Sequence, residues 1–124
     1  MRLLLDTHVL IWCLLEPHRL GAKSRRDLAR FELAVSAVSL WEMTMKEACG
    51  KLPLPPSLTD AVSEMDMRII PLKPEHVEAG RRFGFGLVDP FDALIVAVAQ
   101  VEGFKLATRD ERILRMLPGA VYEI

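Results

Sequence analysis

A chain of 124 residues, 51% hydrophobic and 27% charged, is long enough for one compact domain and short for two, so a single domain over 1–124 is expected. Sixteen Lys and Arg against seventeen Asp and Glu leave a formal charge of −1. That balance excludes a global positive field for a polyanion, so any nucleic-acid binding must come from a local patch or from charges pooled in an oligomer. Cys13 and Cys49 form neither a C-x-x-C pair nor a zinc set and read as reduced core thiols. Asp6 and His8 interrupt the apolar start, and no stretch approaches the roughly 18 apolar residues of a membrane span, so a soluble cytoplasmic domain with no membrane contact is expected.

In chain order, short apolar runs alternate with segments of helical period, which predicts parallel strands joined by helices, an α/β pattern. Leu3-Leu4-Leu5 reads as the first strand, passing at Asp6-Thr7 into a helix that Pro17 stops. Ala22 to Phe31 is a second helix with Arg25, Arg26 and Arg30 on its polar side, and Ala34 to Val38 a buried strand. Ser39-Leu40-Trp41-Glu42 has the spacing of an S-x-x-E capping box, opening a helix that Gly50 ends. After the stiff Pro53, Pro55, Pro56 connection, Ser57 caps a helix to about Met67. Arg68 to Leu72 is an edge strand, because Pro71 cannot donate to a ladder. Pro74 opens a helix to about Phe83, and a turn over Gly84-Phe85-Gly86 leads to Asp89-Pro90-Phe91-Asp92, a cap with Pro at the first helical position. The most apolar helix follows, Ala93 to Val101. Phe104 to Ala107 is the fourth strand, Thr108 caps a last helix, and Ala120 to Glu123 ends the chain as a short strand. The expected architecture is a three-layer α/β/α domain on a parallel sheet of about five strands.

Asp6, Glu42, Asp92 and Asp110 each lie where a strand or loop passes into a helix. Right-handed crossovers put the strand-to-helix turns on one edge of a parallel sheet, where ligands bind, so acids far apart in sequence can meet there. Each also has a purely structural account. Glu42 would complete the box with Ser39, Asp92 would partner the Asp89 cap, and Asp110 would be a first-turn acid behind Thr108. Asp6 has the weakest such account, since it ends a hydrophobic strand where a bare carboxylate is costly to bury. Taken together, carboxylates in one crevice repel one another and call for a shared cation. Oxygen-only ligation points to Mg²⁺ or Mn²⁺, hard ions that work on phosphates. One or two such ions can activate a water for in-line attack on a phosphodiester.

The stretches Leu3-Leu4-Leu5-Asp6-Thr7-His8, Val35 to Glu42, Lys46 with Gly50-Lys51-Leu52-Pro53, Asp89-Pro90-Phe91-Asp92 and Ala107-Thr108-Arg109-Asp110 together resemble the PIN-domain family, in particular its VapC-type toxin ribonucleases. The resemblance covers nearly the whole chain. It implies an acidic quartet of Asp6, Glu42, Asp92 and Asp110, with Asp6 and Asp92 foremost as metal ligands, an RNA substrate, a homodimer, and a small antitoxin partner covering the crevice. Relatives often carry a basic residue on each side of the Asp-Pro-Phe-Asp stretch, whereas Leu87-Val88 and Ala93 stand here.

Around the quartet, Asp89 is open between a helix cap and a carboxylate that tunes the metal. Lys46 can pair with Glu42 one turn away or reach a phosphate. Thr7 and Thr108 can cap helices or support a ligand, with capping favoured. His8, His18 and His76 lie on separate segments, which argues against a metal-free acid–base ribonuclease. The arginines, Arg109 and Arg112 among them, read mostly as solvated helix faces, and Trp12 and Trp41 as core or dimer surface ahead of base-stacking platforms. Two alternatives stand beside the nuclease: a phosphoacceptor signalling domain, disfavoured because Val38 leads to Ser39 where an Asp is needed, and a non-catalytic binding module whose acids only cap helices.

Overall fold

In the computed structural model, which describes residues 1–83 and 89–124, strand β1 (Arg2–Leu5) buries Leu3, Leu4 and Leu5 completely. A strand buried on both faces belongs in the middle of a parallel sheet. There β1 pairs with β2 (Glu32–Ser36) on one side and β4 (Lys105–Thr108) on the other. Strands β3 (Arg68–Ile70) and β5 (Val121–Glu123) close the two edges, giving the all-parallel order β3-β2-β1-β4-β5. The five-stranded parallel sheet and the edge position of β3 agree with expectation.

Side chains alternate across the sheet. Leu3 and Leu5 enter a cluster with Val9, Leu10, Leu28 and Val62, contributed by helices α1 (Thr7–Leu15), α2 (Gly21–Arg30) and α4 (Leu58–Glu64). Leu4 enters the opposite cluster with Ile95, Val98 and Ile113, from α6 (Pro90–Glu102) and α7 (Glu111–Met116). Three layers result. Helix α3 (Ala37–Ala48) belongs to both clusters: Val38 packs into the second and Met43 into the first. Helix α5 (Pro74–Gly80) packs on α6.

Several boundaries move from their expected places, each for a local reason. Strand β2 ends at Ser36, two residues early, because the Ser36 hydroxyl accepts the Val38 N–H at 3.0 Å and caps α3 at once. Ser39 and Glu42 therefore lie inside the helix and make no capping box; both are buried. Helix α4 stops at Glu64, not near Met67, as Asp66 adopts a left-handed φ of 57°. Helix α5 ends at Gly80, and a 3-10 turn continues through Phe83. Cys13 is a core thiol, pushed up to about 11 by burial, but Cys49 caps the C-terminus of α3 and is exposed, contrary to expectation. The turn expected at Gly84–Gly86 and the Leu87-Val88 pair lie outside the described residues. Among those described, no helix is long and apolar enough to cross a membrane.

Two polar clusters tie the layers together. Asp27 of α2 takes Lys23 at 2.7 Å, Arg30 at 3.1 Å and the Tyr122 hydroxyl of β5 at 3.0 Å. His76 of α5 is fully buried; its Nδ1 accepts the Lys73 N–H at 2.9 Å, which leaves Nε2 to donate to Glu102 of α6 at 2.8 Å.

Candidate active site

Asp6 follows β1 directly and occupies the position before α1, yet its side chain caps nothing. It is 4% exposed. Thr108, at the end of the neighbouring strand β4, donates its hydroxyl to Asp6 Oδ2 at 2.7 Å. Burial raises the Asp6 carboxyl above its ordinary value in spite of that bond, and the Glu42 charge adds to the rise.

Thr7 does not cap α1 with its side chain as favoured from sequence; its hydroxyl donates to Ser39 Oγ at 3.0 Å and joins α1 to α3. Glu42, three residues further along α3, is buried as well, near enough for its charge to act on Asp6. Glu42 Oε2 stands 3.5 Å from Lys46 Nζ, the i,i+4 partner expected. Glu42 Oε1 is buried with no hydrogen-bond partner. An orphaned carboxylate oxygen is costly, and it marks where a cation or donor is wanted.

Asp89 is the cap of α6, accepting the N–H groups of Phe91 at 2.7 Å and Asp92 at 3.4 Å. Asp92, half-buried in the first turn, has its carboxyl pushed up to about 7. Burial is the largest cause, followed by the negative charges of Asp6, Asp89, Glu42 and Asp110. The cap of α7 is Asp110 itself, which accepts the Arg112 and Ile113 N–H groups at 2.8 and 3.3 Å. Thr108 therefore is not the helix cap expected: its hydroxyl accepts the Asp110 N–H at 3.0 Å while donating to Asp6.

Helix capping thus accounts for Asp89 and Asp110 and fails for Asp6 and Glu42. Among the described residues no three Asp, Glu, His or Cys side chains stand as a ready-made metal cage. The chemistry of the set still fits a hard cation. Mg²⁺ keeps most of its waters and needs only one or two direct carboxylates, and the unpaired Glu42 oxygen and the mutual repulsion at Asp92 are deficits that a hydrated divalent ion would correct.

Two cavities flank the acids. One, of about 220 Å³, is lined by Asp6, His8, Trp12, Arg109 and Asp110. The other, of about 190 Å³, is bounded by Glu42, Met45, Lys46, Cys49, Lys51, Asp89 and Phe91. The sequence offered no signal for the role of Arg109. It is not a free solvated side chain: its Nε, Nη1 and Nη2 donate to the carbonyls of Ile124, Arg19 and Leu20 at 2.8, 2.9 and 3.2 Å, and it lies 4.6 Å over the Trp12 ring. The imidazoles do not converge, since His8 borders the acids, His18 lies in the 3-10 turn Pro17–Arg19, and His76 faces Glu102. Trp41 is 58% exposed and so belongs to the surface, not the core.

The PIN-domain family model matches residues 3–117. The chain belongs to the PIN-domain family. This PIN domain is 28% identical over 114 residues, 89% of the chain and 88% of the relative, to Ribonuclease VapC22 of Mycobacterium tuberculosis. Its fold is similar to that of a chain in a toxin–antitoxin complex from Klebsiella pneumoniae, with a TM-score of 0.67, 23% identity and 98% of each chain covered. It is also similar to a chain of VapBC2 from Rickettsia felis bound to a DNA fragment from its promoter, with a TM-score of 0.69, 16% identity, and 100% and 99% of the two chains covered.

Proposed function

We propose that this PIN domain is a magnesium- or manganese-dependent endoribonuclease and the toxin of a toxin–antitoxin pair. The observation that carries the chemistry is the buried Glu42 Oε1, which has no hydrogen-bond partner although Asp6, Asp89 and Asp110 gather with Glu42 around Asp92, close enough to raise its carboxyl. Membership of the PIN family, a relative named as a VapC ribonuclease and similarity of fold to toxin–antitoxin complexes support the substrate class and the antitoxin partner. Asp6 and Asp92, with Glu42 and Asp110 beside them, would hold the cation, which when bound activates water and offsets charge on a phosphodiester.

The chain's own residues do the rest. The Thr108 hydroxyl fixes one oxygen of Asp6 and so sets how the carboxylate would meet a ligand. The Thr7–Ser39 bond holds α3 and Glu42 in register with Asp6. Lys46 neutralises part of Glu42 and, with Lys51, lines one flank of the acids, where the two ammonium groups would meet an RNA backbone. Asp89, as the α6 cap, sets the direction in which Asp92 leaves the helix. Exposed Trp41 and Met45, one turn apart on α3, offer an apolar surface for a second copy or the antitoxin.

The direct test is incubation of the purified protein with total RNA in Mg²⁺, Mn²⁺ or EDTA. Cleavage in either metal, lost in EDTA and in Asp6→Asn, is expected. Intact RNA under all three conditions would overturn the proposal, and retained cleavage in Asp6→Asn would remove Asp6 from the mechanism.

A further inference from the structure

We infer that the cavity formed by His8, Trp12 and Arg109 is a nucleobase subsite, receiving one unpaired base next to the bond that the acids address. The inference rests on the ribonuclease reading above and adds to it a place where the substrate is recognised.

Position comes first. The cavity shares Asp6 and Asp110 with the acidic site, so its occupant lies beside those carboxylates. Its volume, about 220 Å³, suits a single planar ring system and is below the range of pockets for larger ligands. His8 and Trp12 occupy one face of α1, four residues apart, with ring centroids 6.3 Å apart and planes tilted by 45°. His8 is exposed and Trp12 half-buried, so one ring is anchored against the core and the other is open to a ligand.

Arg109 gives the wall its rigidity. Three of its five N–H donors are committed to backbone carbonyls, which fixes the guanidinium as a plane over the indole. Aromatic rings and arginine planes are the surfaces on which proteins stack unpaired RNA bases. The separate cavity beside Glu42 and Asp89 carries Lys46 and Lys51, so a single strand that reaches both would set a base against the aromatic rings and its backbone against the ammonium groups.

The test separates base binding from cleavage. A trinucleotide with uncharged methylphosphonate linkages and a central 4-thiouridine is not repelled by the acids and is not cut in metal-free buffer. Irradiated with the full-length protein, it is expected to crosslink within residues 7–15, with competition from free nucleosides. His8→Ala should lower the yield about five- to tenfold, the lower part of what one stacked base is worth. Trp12→Phe keeps the core filled and should retain most of the crosslink. In cleavage assays His8→Ala should raise KM more than it lowers kcat, and should relax base preference at one position beside the cut. Crosslinks mapping elsewhere, or a yield indifferent to His8→Ala, would overturn the inference. So would a cavity that ignores nucleosides and captures arginine-bearing peptides, which would assign it to a protein partner. Crosslinking here without RNA cleavage would keep the subsite and sink the nuclease; cleavage with crosslinks elsewhere would do the reverse.

Discussion

The molecule treats its carboxylates in two opposite ways. Asp27 and Glu102 are each surrounded by donors: Asp27 has two cations and a tyrosine hydroxyl, and Glu102 has His76 and Lys73. Their carboxyls are held below the ordinary value, Asp27 first by the Lys23 hydrogen bond and Glu102 first by the His76 hydrogen bond. At the C-terminal edge of the sheet the same chemical group is left short of partners. Asp6 and Asp92 are raised, first by burial, and Glu42 keeps an orphaned oxygen. A protein that surrounds the carboxylates of buried Asp27 and half-buried Glu102 with donors, and leaves those at the sheet edge short of them, has the contrast expected where stability is given up for a site.

Experiments can break that contrast at either end. The largest effect is expected from Asp6→Asn, which removes charge and keeps shape. RNA cleavage should fall at least about a hundredfold, since even the loss of groups that support a metal ligand costs 10–100-fold, while melting in EDTA is unchanged or improved. A drop in both activity and stability would mean that Asp6 is structural, like Asp27. Thr108→Val should weaken Mg²⁺ binding and activity roughly tenfold, by freeing the Asp6 oxygen it now holds; calorimetric titration of Mg²⁺ measures it.

On the satisfied side, His76→Ala should cost roughly 2–3 kcal/mol in urea unfolding, because it empties a fully buried position and leaves Glu102 with Lys73 alone, with no change in metal affinity.

The pH dependence sharpens the contrast further. Asp92 has a folded value of about 7 against an ordinary 3.8, so the folded state holds its proton more tightly than the unfolded chain. The stability of metal-free protein is therefore full below pH 3.8 as far as this group is concerned, and falls as pH rises from there through about 7. After solvent screening at this half-open position the loss is roughly 1–2 kcal/mol. Thermal melts in EDTA at pH 5 and pH 8 should show it in the wild type, much less in Asp92→Asn, and Mg²⁺ should restore stability at pH 8. Asp27 and Glu102 act with the opposite sign, their contribution being lost on acidification. The smallest effect is expected from Lys46→Ala, which should reduce the salt dependence of RNA binding by about one phosphate contact.

Much of the fold was legible because its signals are local. Three leucines in a row at Leu3–Leu5 and the apolar run within α6 are buried strand and helix whatever surrounds them, and Asp89-Pro90 marks a helix start from short-range chemistry alone. The misjudged boundary at Ser36 had two serines three residues apart, both competent caps; only the depth at which β2 packs decides between them. At the site the acids could be read as a set from their places before or within helix starts. Which of its two open roles Thr108 takes, and what Arg109 does, could not be read, since each depends on contacts reaching about a hundred residues back: Thr108 to Asp6, Arg109 to Arg19 and Leu20.

The Asp6–Thr108 bond joins positions 102 apart in the chain. During synthesis at roughly 5–20 residues per second, the first acid waits on the order of 5–20 s for the hydroxyl that orients it. A chain released before β4 is made is therefore expected to hold three of the acids, Asp6, Glu42 and Asp92, without the contact that orients the first of them.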